Sequence, residues 1–226
     1  MKTDYAAHDQ KYRALRQKGE ADGWDSPREL VEHIAELEWA IRDLLPFTGK
    51  RVLELGCGAG NVSVWLEEMG FEVTGVDISP TAIEWANERK AAGGHARAKF
   101  LVGDVLTLAG LEDGSFDAVI DGHCLHCIIG EDRARVLASA RRVLVEGGLL
   151  HVATMCGPVA AAQLVETFDP ASRCQVVEGV ARRFIGDPEE ILAEIRAAGF
   201  RVLRSRVQPR AGADEQDMLW ANAVRE

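Results

Sequence analysis

Short apolar runs along the chain alternate with longer stretches whose apolar positions recur every three to four residues. The runs at 51–55, 71–76, 98–102, 116–121 and 148–154 read as buried strands, since each is short and bounded by turn residues. The stretches at 60–69, 80–92, 131–145 and 187–198 read as helices. Ser79-Pro80 is a start signal for the second of these, and Gly147-Gly148 a stop signal for the third. Such β-α alternation predicts a parallel sheet covered on both faces, with ligands beyond the carboxyl ends of the strands. Two further strands, 199–205 and 218–223, close the chain.

Upstream, Leu30, Ile34, Leu37, Ile41 and Leu44 lie at helical spacing behind Ser26-Pro27-Arg28-Glu29, which has the form of a capping box. An amphipathic helix over 27–45, ended by Pro46, follows from this. Residues 1–25 are polar, with Tyr5, Tyr12, Leu15 and Trp24 as scattered apolar points. They have too few apolar positions for a core of their own, yet Tyr12 and Trp24 are large enough to cap a ligand. The predicted organisation is an N-terminal lid and helix over 1–46 and a ligand-binding domain over 47–226. Residues 155–186, with Gly157-Pro158 and Asp169-Pro170, break the alternation. An insertion of this length is usually functional or disordered.

Composition narrows the partners. The formal net charge of −10 across 226 residues argues against a phosphate-tracking nucleic-acid binder. Arginines are densest at Arg182, Arg183, Arg196, Arg201, Arg204, Arg206 and Arg210, but acidic residues interrupt them, so a solvated face is expected there. Five cysteines and an N-terminus without an apolar leader point to a reducing compartment, the cytoplasm. No run approaches the ~18 apolar residues of a membrane span.

The chemistry concentrates where the first strand of the alternation ends. Gly56, Gly58 and Gly60 stand on alternate residues directly before a helix, as a turn requires when backbone must approach a ligand closely. The next strand ends in Asp77, at the distance expected of a ribose-binding carboxylate. A dinucleotide site has the spacing G-x-G-x-x-G and places an anionic pyrophosphate on the helix N-terminus. Here the spacing is G-x-G-x-G, and Glu54 would repel a pyrophosphate but attract a cation. Four carboxylates, Glu54, Asp77, Asp104 and Asp121, fall at or just past successive strand ends, where convergence would make a negative pocket for a cationic ligand.

With Glu54-Leu-Gly-Cys-Gly-Ala-Gly60 and Val73-Thr-Gly-Val-Asp-Ile-Ser79, the chain resembles the class I S-adenosylmethionine-dependent methyltransferases. The resemblance implies an α/β, Rossmann-like methyltransferase fold: a mostly parallel seven-stranded sheet whose last strand is antiparallel, helices on both faces and an N-terminal helical lid. It implies S-adenosyl-L-methionine as cofactor, held by the loop of Gly56, Cys57, Gly58 and Gly60. Asp77 would take the ribose hydroxyls, Asp104 and Val105 the adenine edge and Ile78 its face, while Glu54 would act near the amino-acid end. The insertion at 155–186 would help to cover the substrate.

Phe116-Asp-Ala-Val-Ile-Asp-Gly-His-Cys-Leu-His-Cys127 is similar to the family's fourth motif, beside the transferred methyl. The Asn/Asp-Pro-Pro-aromatic form of amide and adenine methylation is absent, as is a Pro-Cys nucleophile. Asp121 followed by cysteine and histidine, with Gly23-Trp24-Asp25 in the lid, is similar to small-molecule methyltransferases of the thiopurine and thiol/halide kind. This makes Trp24 and Asp121 cofactor-site candidates, and His126, His123 and Asp121 catalytic ones. His126 is the candidate general base, because imidazole titrates near neutrality. His123, Cys124, His126 and Cys127 also form a soft donor set, but a single short loop can hardly wrap one ion with four ligands, so no metal is expected. The expected reaction is in-line transfer of a methyl group to sulfur, nitrogen or oxygen of a small molecule. A protein or RNA methyltransferase and a non-catalytic cofactor-binding regulator are the alternatives; the methyl acceptor and oligomeric state are left open.

Overall fold

In a computed structural model, which describes residues 2–19, 23–24, 27–42, 50–209, 212 and 215–226, the expected alternation is present with additions at its front and near its end. The front holds a two-residue strand β1 (Lys2–Thr3), helix α1 (Ala7–Lys18) and helix α2 (Pro27–Ile41). Then come β2 (Arg51–Leu55), α3 (Asn61–Glu68), β3 (Glu72–Asp77), α4 (Pro80–Gly93), β4 (Ala98–Val102), β5 (Phe116–Asp121), α5 (Asp132–Val143) and β6 (Leu144–Met155). The chain ends through α6 (Ala162–Val165), β7 (Phe168–Asp169), β8 (Cys174–Val177), β9 (Val180–Phe184), α7 (Pro188–Ala197), β10 (Phe200–Gln208) and β11 (Met218–Arg225).

The main sheet has seven strands in the order β10-β11-β6-β5-β2-β3-β4. The pairs among β6, β5, β2, β3 and β4 are parallel, and β11 is antiparallel to both neighbours. This is the sheet the family resemblance implied. Its apolar strands are buried on both faces: Leu53, Val119, Leu150, Ile191 and Ile195 pack in one cluster, and Val52, Ala118, Ile120, Leu66 and Phe71 in another. Leu37 and Ile41 of α2 join the second cluster, as the helical spacing predicted. Ser26, Leu44 and Pro46, the proposed cap, last apolar position and stop of that helix, lie outside the described residues, as does the boundary at 46–47.

Three local readings change. Ser79 caps α4 as expected, accepting from the Ala82 amide at 3.0 Å with Pro80 following. Gly147-Gly148, however, does not end α5: that helix stops at Val143, β6 begins at once, and the glycines absorb a register shift against β5. Residues 155–186 carry their own four-stranded sheet, ordered β1-β9-β8-β7, in which Lys2 and Thr3 pair in parallel with Val180 and Ala181. Strands of two to five residues leave little periodicity to read in a sequence.

The segment 1–25, read as polar with scattered apolar points, contains α1, which is docked on α4 and the loop before α5. Asp9 accepts from the Ser79 hydroxyl at 2.7 Å and the Thr81 amide at 3.0 Å, so it caps α4 from outside, while Arg16 pairs with Glu84 and Glu88 on α4. Tyr5 donates to Asp132 at 2.9 Å and accepts from the Ile129 amide at 3.2 Å. Burial of Asp9 opposes its ionisation, but the bonds from Ser79, Thr81 and Arg13 outweigh it and lower its pKa to about 2 from 3.8. A carboxyl lowered in the folded state stabilises above its unfolded value and loses that contribution as pH falls. The protection of residues 7–18 against hydrogen exchange, relative to the unfolded chain at the same pH, should therefore fall between pH 3.8 and about 2. Asp9→Ala should produce the same loss of protection at neutral pH and cost about 1 kcal/mol, the usual value of a helix cap. Unchanged protection in the variant would show that α1 is held by other contacts.

Candidate functional site

The turn from β2 into α3 is built by backbone geometry. The Gly56 and Cys57 amides both donate to the Val76 carbonyl, at 2.8 and 3.1 Å, which ties the end of β2 to the end of β3. Gly56, Gly58 and Gly60 have φ of 67, 53 and 80°, the left-handed region where a side chain is strained. Asp77 then fixes the loop: one carboxylate oxygen accepts from the Gly58 amide at 2.9 Å, the other from the Ser79 amide at 2.8 Å. Burial raises its pKa, against the pull of those two amides. Glu54 is 2% exposed and accepts from the Ser63 hydroxyl in the first turn of α3.

A cavity of about 920 Å³ opens beside this turn, and the N-terminal arm forms part of its wall. Glu54, Gly56, Cys57, Gly58, Asp77, Ile78, Asp104, Val105, His123, His126 and Trp24 all line it. Tyr12 comes so close to the glycine turn that a Cβ on Gly58 would lie 2.3 Å from its hydroxyl. Trp24 stands behind Tyr12 with ring centroids 5.4 Å apart, and the Lys11 ammonium lies 3.4 Å from the Trp24 centroid. The Asp104 carboxylate accepts from the Leu106 amide at 2.8 Å at the exposed rim.

Two of the expected site residues lie elsewhere. Asp121 does not line this cavity; it is buried beneath the following loop and accepts from the Cys124 and Leu125 amides at 2.8 and 2.9 Å. Burial raises its pKa to about 7 despite those amides. The structure thus places it away from the cavity wall, where one of its oxygens shapes the loop through those two amides. Gly60 is also outside the cavity lining. A Cβ there would meet the Phe100 ring at 2.8 Å and the Ala86 methyl at 3.0 Å, so this glycine lets α3 pack against the sheet.

The loop from Gly122 to Ile128 carries the proposed catalytic histidines. Arg133, 2% exposed, donates to the Leu125 carbonyl at 2.8 Å and pairs with Glu194 at 2.7 Å, anchoring the loop from below. His123 has φ of 63° and stacks on His33, with centroids 3.9 Å and planes 9° apart. Burial lowers the pKa of His123 to about 3. His126 is 4% exposed, and its Nε2 lies 3.3 Å from a guanidinium nitrogen of Arg183. Burial first, then the Arg183 charge, hold its pKa well below the usual imidazole range. A guanidinium only donates, so Nε2 is the acceptor and its lone pair is engaged. This geometry removes the basis for His126 as a neutral-pH base. Among the described residues, no three His, Cys, Asp or Glu side chains gather as a metal-ligand set, and no helix is long and apolar enough to cross a membrane.

Sequence reasoning missed several lining residues. Arg183, assigned to a solvated face, is half-buried in the cavity wall on β9. His33 on α2, Gln216 and Trp220 also line it. Trp220 lies in a strand whose apolar run could have drawn notice to it, but only the antiparallel return of β11 beside β6 brings it to the cavity.

Residues 53–152 match the family model described as a methyltransferase domain. The chain is 30% identical over 136 residues to the ubiquinone biosynthesis O-methyltransferase of Xanthomonas axonopodis pv. citri, covering 60% of this chain and 55% of that one. It is 37% identical over 120 residues to the 2-methyl-6-phytyl-1,4-hydroquinone methyltransferase of Synechocystis, covering 53% and 36%. The chain thus spans about half, or less, of the length of these relatives. Among solved structures, the 1,6-didemethyltoxoflavin-N1-methyltransferase of Burkholderia thailandensis, with bound S-adenosylhomocysteine, shares the fold at a TM-score of 0.69 and 22% identity. That superposition covers 98% of this chain and 86% of the other.

The packing role of Gly60 is directly testable. Gly60→Ala should destabilise the protein by about 1–3 kcal/mol, through overpacking against Phe100 and a strained backbone. Thermal unfolding checks this, and an unchanged melting temperature would contradict it.

Proposed function

We propose that this chain, whose residues 53–152 match a methyltransferase domain, is a class I S-adenosylmethionine-dependent methyltransferase that transfers the methyl group of S-adenosyl-L-methionine to a nucleophilic sulfur, nitrogen or oxygen of a small molecule. The observation that carries this reading is the join between the glycine turn and Asp77 beneath a cavity of about 920 Å³. That volume is ample for a cofactor and a small acceptor together.

The residues present fit the cofactor. Gly58 holds backbone where a side chain would block approach, and Glu54, Asp77 and Asp104 line the cavity with acidic groups suited to a cation. Each Asp77 oxygen already accepts one amide and retains a lone pair, so this residue is assigned the ribose hydroxyls. Asp104 and Val105 are assigned the adenine edge and Ile78 its face. Glu54 acts through Ser63, holding the first turn of α3 against the strand end. When bound, the cofactor supplies an electrophilic methyl carbon on a sulfonium.

The protein's own residues do the rest. The arm carrying Tyr12 and Trp24 covers the glycine turn and limits water there, and the walls place an acceptor in line with the methyl carbon. Positioning of that kind is worth several kcal/mol of barrier without a covalent intermediate. With the Nε2 lone pair of His126 engaged by Arg183, no histidine base is assigned. The acceptor is expected to arrive already ionised or to need no deprotonation before attack.

Transfer of labelled methyl from S-adenosyl-L-methionine into a metabolite extract, with and without macromolecules, tests the reading. Label in small molecules alone supports it. Label confined to protein or RNA would overturn the small-molecule assignment, and cofactor binding without transfer would favour a regulator. Asp77→Ala should weaken cofactor binding by roughly 2–3 kcal/mol. Calorimetry showing unchanged affinity would remove Asp77 from the site.

A further inference from the structure

One part of the cavity wall is not used by the cofactor assignment: Arg183, His126 and Trp220, with His33 and His123 beside them. The Arg183 side chain has His126 as its single hydrogen-bond partner among the described residues, and that partner is neutral. Since Nε2 of His126 accepts from Arg183, the ring proton must sit on Nδ1. That Nδ1 is buried and has no partner among the described residues, and the same holds for the indole Nε1 of Trp220, which is 5% exposed. Three residues of the cavity wall therefore carry donors with capacity unspent: the remaining N–H groups of Arg183, and the buried His126 Nδ1–H and Trp220 Nε1–H. Buried donors left unmet are unfavourable, and a half-buried guanidinium without a counter-ion among the described residues is more so.

Among the described residues, no carboxylate pairs with Arg183. Of the carboxylates contributed by α2 and the segment before β11, Glu32 and Glu215 face Arg28, at 2.8 and 3.8 Å, and Glu36 faces Arg206. Asp77 is committed to the amides of Gly58 and Ser79. Around the donors the walls are planar and apolar. His123 and His33 stack on one another, each ring centroid lies within 6.3 Å of the Trp220 centroid, and Met155 and Met218 also line the cavity. Flat rings beside donors of one kind make a slot for a flat acceptor rich in oxygen.

We propose that Arg183, His126 and Trp220 form an oxyanion-reading subsite, and that the methyl acceptor is a small planar molecule bearing an ionised oxygen, a carboxylate or an ionised phenol or enol. This rests on the methyl-transfer reading and adds the substrate class to it. In this arrangement His126 is a donor whose tautomer Arg183 fixes. Because the three residues touch the acceptor's oxygen rather than the transferred methyl, they govern which acceptor binds.

The test measures binding of matched pairs, salicylate with salicylamide and 4-hydroxybenzoate with 4-hydroxybenzamide, to protein saturated with S-adenosylhomocysteine. At least one acid should bind about tenfold or more tightly than its amide. Arg183→Gln should abolish that preference, and Arg183→Lys should retain part of it. Trp220→Phe, which keeps the ring and removes the N–H, should cut acid binding severalfold and leave the amide unchanged. S-adenosylhomocysteine affinity and melting temperature, measured alongside, should be unaltered in all three variants. If Arg183→Gln instead weakens S-adenosylhomocysteine, the oxyanion served is the cofactor's own carboxylate and the proposal is overturned. Acids binding no better than amides would overturn it as well. Loss of S-adenosylhomocysteine binding by the unsubstituted protein would be a failure of the cofactor reading itself.

Discussion

Asp77 spans the ends of two strand-helix turns at once. Its carboxylate accepts from Gly58 in the turn after β2 and from Ser79 in the turn after β3, and the Val76 carbonyl beside it receives two more amides from Gly56 and Cys57. Four amides thus converge on two adjacent residues, so the glycine turn cannot move without moving the end of β3. Other features are set by that join. Ser79, fixed by Asp77, caps α4 and also meets Asp9, which docks α1; α1 in turn carries Tyr12 over the glycine turn. The lid is therefore hung from the same carboxylate that is assigned the ribose.

This join explains why the glycine turn and its carboxylate partner were legible in the sequence. Glycines on alternate residues after a buried strand, followed by a carboxylate at the next strand end, are local signals, and each has one physical use. The seven-stranded sheet was legible for a related reason, since its strands are apolar on both faces and the helices between them keep a helical period. Asp121 shows the limit of such reasoning. It stands at a strand end like Asp77, yet its carboxylate turns to the Cys124 and Leu125 amides and away from the cavity. Strand-end position identifies a carboxylate near the rim and leaves its direction open.

The wall of the cavity around Arg183 was hidden because it is assembled from distant parts. Arg183 comes from a short strand in an insertion, Trp220 from the final strand, His33 from α2 and His126 from the loop after β5. Charge density along the chain suggested a solvated face for Arg183, since acidic residues such as Glu178 and Asp187 interrupt the arginines there. Its neighbours in space are an imidazole and a cavity. The same contact changes the reading of His126: imidazole alone suggests a base, whereas imidazole accepting from a guanidinium is a neutral donor of fixed tautomer.

The central claim is that an acidic, glycine-walled cavity selects a cationic nucleoside over a pyrophosphate-bearing one. Titration calorimetry of the full chain with S-adenosyl-L-methionine, NAD and ATP in separate runs tests this most directly. The account predicts one S-adenosyl-L-methionine bound per chain, with NAD and ATP bound at least about a hundredfold more weakly, since Glu54, Asp77 and Asp104 oppose a pyrophosphate. Equal or tighter binding of NAD or ATP would contradict it.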